Sequence, residues 1–290
     1  MNPQLKFSKY KRLSLLMIAL TAIAGIVLFT FLAESNSKYF ESSPLTAICY
    51  AVIVSTIAVA VLAVFFLKNA GNIDTASCAR PKYLNLIIAL AVAYVFFTTG
   101  KQLANSQSVR IWLIIAALTA FSLIYFTSNY VETNKTLSQL SGYLHILLCV
   151  LIIGKLYFDH SVETNAPLKL MIQFTACASA LTTVNNLRAS ILGCNTARYA
   201  GSKLILISLA SLSGIGAIYA AVAGRDVYSS DYWVFPALFF ATAVLEAVEY
   251  FSAQTTDPSA SAPADSADAS PEASEAHEAD AEATQPTELD

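Results

Sequence analysis

Two glutamates, Glu246 and Glu249, lie within the last long apolar run of the chain. They are three residues apart, so a helix would place both carboxylates on one face. Ionised side chains are costly inside a membrane span, and they normally face the bundle interior or a wet cavity, where they pair with a cation. We expect that cation to be Arg188 or, failing it, Arg198 or Lys203. This chemistry is typical of a site that binds or transports a solute.

A second polar group lies upstream, in the stretch 165–190, which reads NAPLKLMIQFTACASALTTVNNLRAS. On a helix with ~3.6 residues per turn, small and polar side chains gather on one face and larger apolar ones on the other. The polar face comprises Thr175, Ala178, Ser179, Thr182, Thr183, Asn185, Asn186, Ala189 and Ser190. The apolar face comprises Phe174, Cys177, Leu181, Val184 and Leu187. The polar face predicts either a surface for packing against other helices, as is usual in membranes, or the wall of a polar cavity.

Two further polar residues of this stretch, Lys169 and Gln173, project away from the polar face. We expect Lys169, about one turn from the outer interface, to reach water along its aliphatic stem. Gln173 either forms a hydrogen bond with a neighbouring helix or reaches water in the outer half of the membrane. The charge of Lys169 therefore requires no functional explanation.

The polar groups of three apolar runs are predicted to meet at one depth near the cytoplasmic side. The sixth and eighth runs would cross in one direction and the fifth in the other, which brings His145 to the level of the glutamates. We therefore predict a polar cavity between the fifth, sixth and eighth helices. Its candidate residues are His145, Thr182, Asn185, Asn186, Arg188, Glu246 and Glu249.

The elements that must position these groups are long apolar segments. The chain is 56% hydrophobic and only 13% charged, with a mean hydropathy of +0.57, whereas soluble domains are about 25% charged. Runs of roughly 20 apolar residues match the thickness of the hydrocarbon core, and they lack the alternation typical of a membrane barrel. We predict an all-α, polytopic helical membrane protein with about eight transmembrane helices. The runs are 13–33, 46–67, 84–100, 110–127, 142–158, 166–187, 204–223 and 233–252.

The distribution of charge divides the chain in two. All 17 Lys and Arg residues precede residue 253, whereas half of the 20 acidic residues follow it. We predict a transmembrane helical domain over 1–252 and a disordered tail, rich in Ala, Ser, Pro, Glu and Asp, over 253–290, because the tail has almost nothing to bury. The tail is either a solvated extension or a docking arm for a basic protein partner.

The basic residues also predict the orientation. Lys6, Lys9, Lys11 and Arg12 precede the first run, so the positive-inside rule places the N-terminus in the cytoplasm. Eight crossings would return the C-terminus to the same side of the cell membrane. The alternative, a cleaved signal peptide over 1–33, is disfavoured because the apolar run is too long and no cleavage site follows it.

The sequence lacks the motifs that would indicate an enzyme. A Walker A loop, HExxH and GxSxG are all absent. The five cysteines show no metal-ligand spacing. We therefore expect no cofactor, no metal and no nucleic-acid partner, and the sequence favours a non-enzymatic function.

Two hypotheses for the function remain. The first is a transporter or solute-binding membrane component, with the lipid bilayer around it and a small solute in the predicted cavity. The second is a structural or interaction subunit of a membrane complex, in which the polar face packs against helices and the acidic tail binds a partner.

Overall fold

The structure, a computed structural model, describes six continuous segments of the chain. They are residues 3–34, 109–131, 135–158, 167–192, 196–222 and 234–252, together with 73–74, 254–255 and isolated helical positions between 47 and 97. The predicted runs 46–67 and 84–100 fall largely outside the described residues. Nearly all of the tail, 253–290, lies outside them as well, so its disorder stays a prediction.

The described residues confirm the all-α class. An antiparallel ladder of two short strands, with Ile73 opposite Thr255 and Asp74 opposite Gln254, accompanies the helices. The helices are α1 (Pro3–Glu34), α2 (Val109–Val131), α3 (Lys135–Phe158), α4 (Pro167–Leu192), α5 (Thr196–Val222) and α6 (Val234–Ser252), and the strands are β1 (Ile73–Asp74) and β2 (Gln254–Thr255).

Proline stands in the first turn of three of these helices. Pro3 begins α1, Pro167 begins α4, and Pro236 is the third residue of α6. The missing N–H has no intrahelical acceptor in a first turn, and the fixed φ of proline suits helical geometry. Proline is therefore compatible with these helices in the first turn, whereas it would disrupt them in the interior.

Among the described residues, three helical segments are long and apolar enough to cross a membrane: Lys11–Leu28 in α1, Gln139–Phe158 in α3 and Phe235–Ser252 in α6. Shorter apolar segments lie in α2, at Leu113–Ser122, and in α5, at Tyr199–Ile215. The chain thus has elements of a helical membrane protein, while the number of eight spans and the orientation of the termini stay predictions.

Helix α5 lies at the centre of the described bundle. It packs against α1, α4 and α6, and α4 also contacts α3 and α6. One apolar core joins α1, α5 and α6 through Met17, Leu204 and Tyr250. A second joins α4, α5 and α6 through Ala178 and Ala210 with Ala243. The glutamates of α6 therefore lie on a helix that is packed on two sides.

Glycine lets α5 approach its neighbours closely. A Cβ atom at Gly25 would overlap the backbone carbonyl of Leu212, where α1 crosses α5. A Cβ atom at Gly214 would lie 2.7 Å from side-chain atoms of Phe240 on α6. Small residues at such crossings allow the dispersion contacts and backbone proximity that hold membrane helices together.

The two predicted faces of α4 are arranged with the polar one inside. Thr175, Thr182 and Thr183 are buried, whereas Leu181 and Val184 are nearly half exposed. Buried polar and exposed apolar side chains are the distribution expected of a helix that packs in lipid, where burying apolar side chains away from solvent gives no advantage. Leu187 is the exception to the prediction, since it belongs to the predicted apolar face and is buried.

Candidate functional site

Helices α4, α5 and α6 bring five polar side chains together at their junction. We call this group the charged cluster; its members are Asn186, Tyr199, Lys203, Glu246 and Glu249. Glu246 and Glu249 occupy one face of α6, and Tyr199 and Lys203 lie four residues apart on one face of α5. The regular spacing of each pair explains how two helices present all four side chains to one another.

Lys203 is the cation at the centre of the charged cluster. Its Nζ atom lies 2.5 Å from Oε2 of Glu246 and 3.0 Å from Oε1 of Glu249. The lysine side chain is 0% exposed and each glutamate side chain 7% exposed. One ammonium group therefore bridges two carboxylates in an environment nearly free of solvent, where electrostatic attraction is screened far less than at a surface.

Tyr199 completes the surroundings of this ammonium group. Its hydroxyl donates a hydrogen bond to Oε1 of Glu249, the oxygen that also accepts from Lys203. Its ring lies under the ammonium group, with Nζ 4.3 Å from the ring centroid. A desolvated cation–π contact of this kind stabilises by about 2 kcal/mol. The tyrosine thus fixes both the lysine and one of its carboxylates.

Asn186 reaches the charged cluster from α4. Its Nδ2 atom donates a 2.9 Å hydrogen bond to Oε1 of Glu246. Because a carboxylate paired with Lys203 needs donors, the amide nitrogen must face it, and this fixes the orientation of the amide. The Oδ1 atom is buried and has no hydrogen-bond partner. A buried acceptor without a donor is unusual in protein structures, and this oxygen can accept a hydrogen bond from a water molecule or a ligand group.

The predicted pairing of the glutamates with a cation is confirmed, with Lys203 as the cation and not Arg188, the first choice. Arg188 is exposed, and it continues a stripe of exposed residues on α4 with Leu181, Val184 and Ile191. That helical spacing places Arg188 on the outer face, away from α5. The side chain of Arg198 lies outside those that the structure describes.

Of the other predicted cavity residues, Thr182 and Asn185 take different positions. Thr182 is buried, and its hydroxyl group lies 2.8 Å from the carbonyl oxygen of Ala178 and 3.0 Å from that of Ser202 on α5. Asn185 is only partly buried. Thr182 therefore contributes to helix packing, and the assignment of these residues to a cavity stays a prediction.

His145 belongs to a second group, which we call the histidine cluster, with Ser122, Cys149 and Ser179. Its Nδ1 atom lies 3.0 Å from Oγ of Ser122 on α2, and its Nε2 atom lies 3.2 Å from Oγ of Ser179 on α4. The sulfur of Cys149, one turn along α3, is 3.8 Å from Nε2. The imidazole thus joins α2, α3 and α4.

The structure also shows the surroundings of Gln173 and Lys169, the two polar residues of α4 that lie outside its polar face. Gln173 donates a 3.4 Å hydrogen bond to the carbonyl oxygen of Ile153 on α3, which confirms the first of its two predicted roles. Lys169 is 4% exposed, so the prediction that it reaches water is wrong.

Helix α1 holds the C-terminal end of α6, close to the charged cluster. Ser14 and Tyr250 share a hydrogen bond of 2.8 Å, and Nζ of Lys11 donates to the carbonyl oxygen of Phe251 at 2.7 Å. A lysine at the last carbonyls of a helix satisfies an acceptor that has no intrahelical donor. This contact fixes the end of α6 two residues beyond Glu249.

Comparison with known proteins gives no assignment of family or function. No protein-family model, no curated protein and no solved structure matches this chain. The geometry of the two clusters is therefore the ground for any functional conclusion.

Proposed function

We propose that this chain is a membrane transporter or a solute-binding membrane component, and that the charged cluster is where a small polar solute or ion binds. The cell membrane is the proposed location, with both termini in the cytoplasm. The proposed site lies between α4, α5 and α6. It is smaller than the cavity expected from the sequence and is centred on Lys203.

One observation carries the proposal: Glu246, Glu249 and Lys203 are buried together inside apolar helices. Buried ion pairs are a poor means of stabilising a protein, since apolar replacements of similar volume are often equally stable. Ionisable side chains within membrane helices typically mark the path or site of a solute, an ion or a proton. The buried, unsatisfied Oδ1 atom of Asn186 adds an acceptor to the same place.

The proposal is tested by uptake into liposomes that contain the purified protein. The solutes are a panel of radiolabelled amino acids, sugars, organic acids, organic amines and monovalent cations. We expect at least one solute to enter faster than into protein-free liposomes, and expect Glu246→Gln to abolish that uptake. The matched control is Arg110→Gln, which removes an exposed charge from α2. Uptake of no solute, or uptake unchanged in a folded Glu246→Gln protein, would overturn the proposal.

A second function, that of a structural or interaction subunit, is favoured by the hydroxyl groups of α4. Those of Thr175, Thr182 and Thr183 donate to backbone carbonyls of their own helix, and that of Thr182 also lies close to α5. Such contacts are typical of a dry packing face. In this function the acidic tail would dock a basic partner.

The test of the second function is deletion of 258–290, which retains β2 and its pairing with β1. Affinity purification of the full chain and of the shortened chain from membranes would then be compared. A protein that co-purifies with the full chain alone supports the docking arm. An identical set of co-purifying proteins contradicts it.

A further inference from the structure

We infer that His145 is a positioning residue, which holds α4 through a directed chain of hydrogen bonds and thereby sets the place of Asn186 in the charged cluster. The inference goes beyond the proposed function. The inference rests on the proposed function only in treating Asn186 as part of the proposed binding site.

The direction of the chain follows from the hydroxyl group of Ser122. A serine hydroxyl has one proton, and that of Ser122 is donated to the carbonyl oxygen of Leu118, 3.0 Å away on the same helix. Towards Nδ1 of His145 the serine oxygen is consequently an acceptor. In this direction of the chain the neutral imidazole carries its proton on Nδ1.

The other ring nitrogen then determines how α4 is held. In the neutral imidazole with a proton on Nδ1, Nε2 is an acceptor only. The hydroxyl of Ser179 therefore donates to Nε2, with the thiol of Cys149 as a second, weaker donor at 3.8 Å. Each member of the chain from α2 through α3 to α4 thus has a defined role in this direction of the chain.

The consequence for the charged cluster follows from the spacing on α4. Ser179 and Asn186 are seven residues, or about two turns, apart and lie on the same face. A hydrogen bond that fixes the rotation of α4 at Ser179 also fixes the direction in which Asn186 points. The 2.9 Å hydrogen bond from Asn186 to Glu246 depends on that rotation.

The first experiment measures the position of the imidazole proton. The chain has three histidines, and the variant His160→Gln, His277→Gln leaves His145 as the single one. Solid-state nitrogen NMR of this protein, labelled at histidine and embedded in lipid, distinguishes a protonated from an unprotonated ring nitrogen. We expect Nδ1 to be protonated and Nε2 unprotonated. A proton on Nε2 would overturn the inference.

The second experiment measures whether Ser179 and Asn186 act together. We would compare the unfolding equilibrium constants of Ser179→Ala, Asn186→Ala and the double variant. We expect the unfolding equilibrium constant of the double variant to differ by more than about fivefold from the product of the two single effects. In the control cycle, in which Ser208→Ala replaces Ser179→Ala, we expect this difference to be less than about twofold. Ser208 is a buried serine on α5 whose hydroxyl donates to the carbonyl oxygen of Leu204 on its own helix.

Equal couplings in the two cycles would contradict the positioning role of His145, even if its proton is found on Nδ1. His145→Gln provides a further check, since its amide can still donate and accept. It should retain more of the coupling than His145→Leu. None of these measurements depends on transport. They can therefore contradict the positioning role of His145 while the proposed function holds, and they can support that role while the proposed function is wrong.

Discussion

Lys203 and Glu246 form a buried ion pair, with Nζ 2.5 Å from Oε2, that joins α5 to α6 within the apolar part of both helices. The same ammonium group reaches Glu249, so a single lysine organises both acids of α6. Because the partners are on different helices, the pair can respond to any change in helix packing. It is therefore a structural contact whose geometry depends on the packing of α5 against α6.

Removal of the ammonium group should destabilise the protein strongly. In Lys203→Met the carboxylates of Glu246 and Glu249 lose their shared cation in a buried setting, and breaking such a pair lowers the free energy of unfolding by about 3–5 kcal/mol. Chemical denaturation in detergent measures the change. Arg110→Met, which removes an exposed cation, should alter the free energy by less than about 0.5 kcal/mol. Equal effects of the two substitutions would show that burial of Lys203 has no energetic consequence.

Tyr199 should contribute separately through its hydroxyl and its ring. Tyr199→Phe removes the hydrogen bond to Glu249 and should lower the free energy of unfolding by about 1.5–3 kcal/mol, the range for bonds to charged groups. Tyr199→Leu also removes the cation–π contact with Lys203 and should lower it further. The control is Tyr143→Phe on α3, where the tyrosine is 55% exposed. No difference between Tyr199→Phe and Tyr143→Phe would refute the bond to Glu249.

The crossing of α1 and α5 should tolerate no side chain at Gly25. Gly25→Ala places a methyl group against the carbonyl of Leu212, so the helices must separate. Gly154→Ala on α3 is the matched control, because nothing lies within 4 Å of its Cβ position, and alanine is favoured over glycine in a helix by about 1 kcal/mol. Thermal unfolding in detergent should show a lower Tm for Gly25→Ala and an unchanged or higher Tm for Gly154→Ala. The opposite order would contradict the close crossing.

The fold class and the two faces of α4 could be predicted from the sequence, because both depend on local patterns. Apolar length and the lack of alternation indicate membrane helices, and a helical wheel separates Thr182 from Leu181 without knowledge of any partner helix. The sequence also predicted that the glutamates pair with a cation, since a charge inside an apolar helix is otherwise too costly.

The identity of the cation could not be derived in the same way. The sequence places Lys203 just before an apolar run that begins at 204, whereas α5 begins at Thr196. If the predicted helix had been extended towards its N-terminus, the spacing of four residues would have placed Tyr199 and Lys203 on one helix face. The hydrogen bonds of His145 to Ser122 and Ser179 could not be predicted either, since neither serine is recognisable as its partner from spacing alone.

Labelling of Asn186→Cys with a membrane-impermeant maleimide tests most directly whether the charged cluster meets water, as a transport or binding site must. The background replaces Cys49, Cys149, Cys177 and Cys194 with Ser, and retains Cys78, in a predicted cytoplasmic loop, as the positive control. Thr182→Cys, one turn deeper and packed against α5, is the matched negative control.

In inside-out vesicles the proposed site predicts labelling of Cys78 and of Asn186→Cys, and no labelling of Thr182→Cys. Labelling of Cys78 without labelling of Asn186→Cys would show that the charged cluster is closed to the cytoplasm. If right-side-out vesicles also leave Asn186→Cys unlabelled, the cluster is a dry structural contact and the proposed site is wrong.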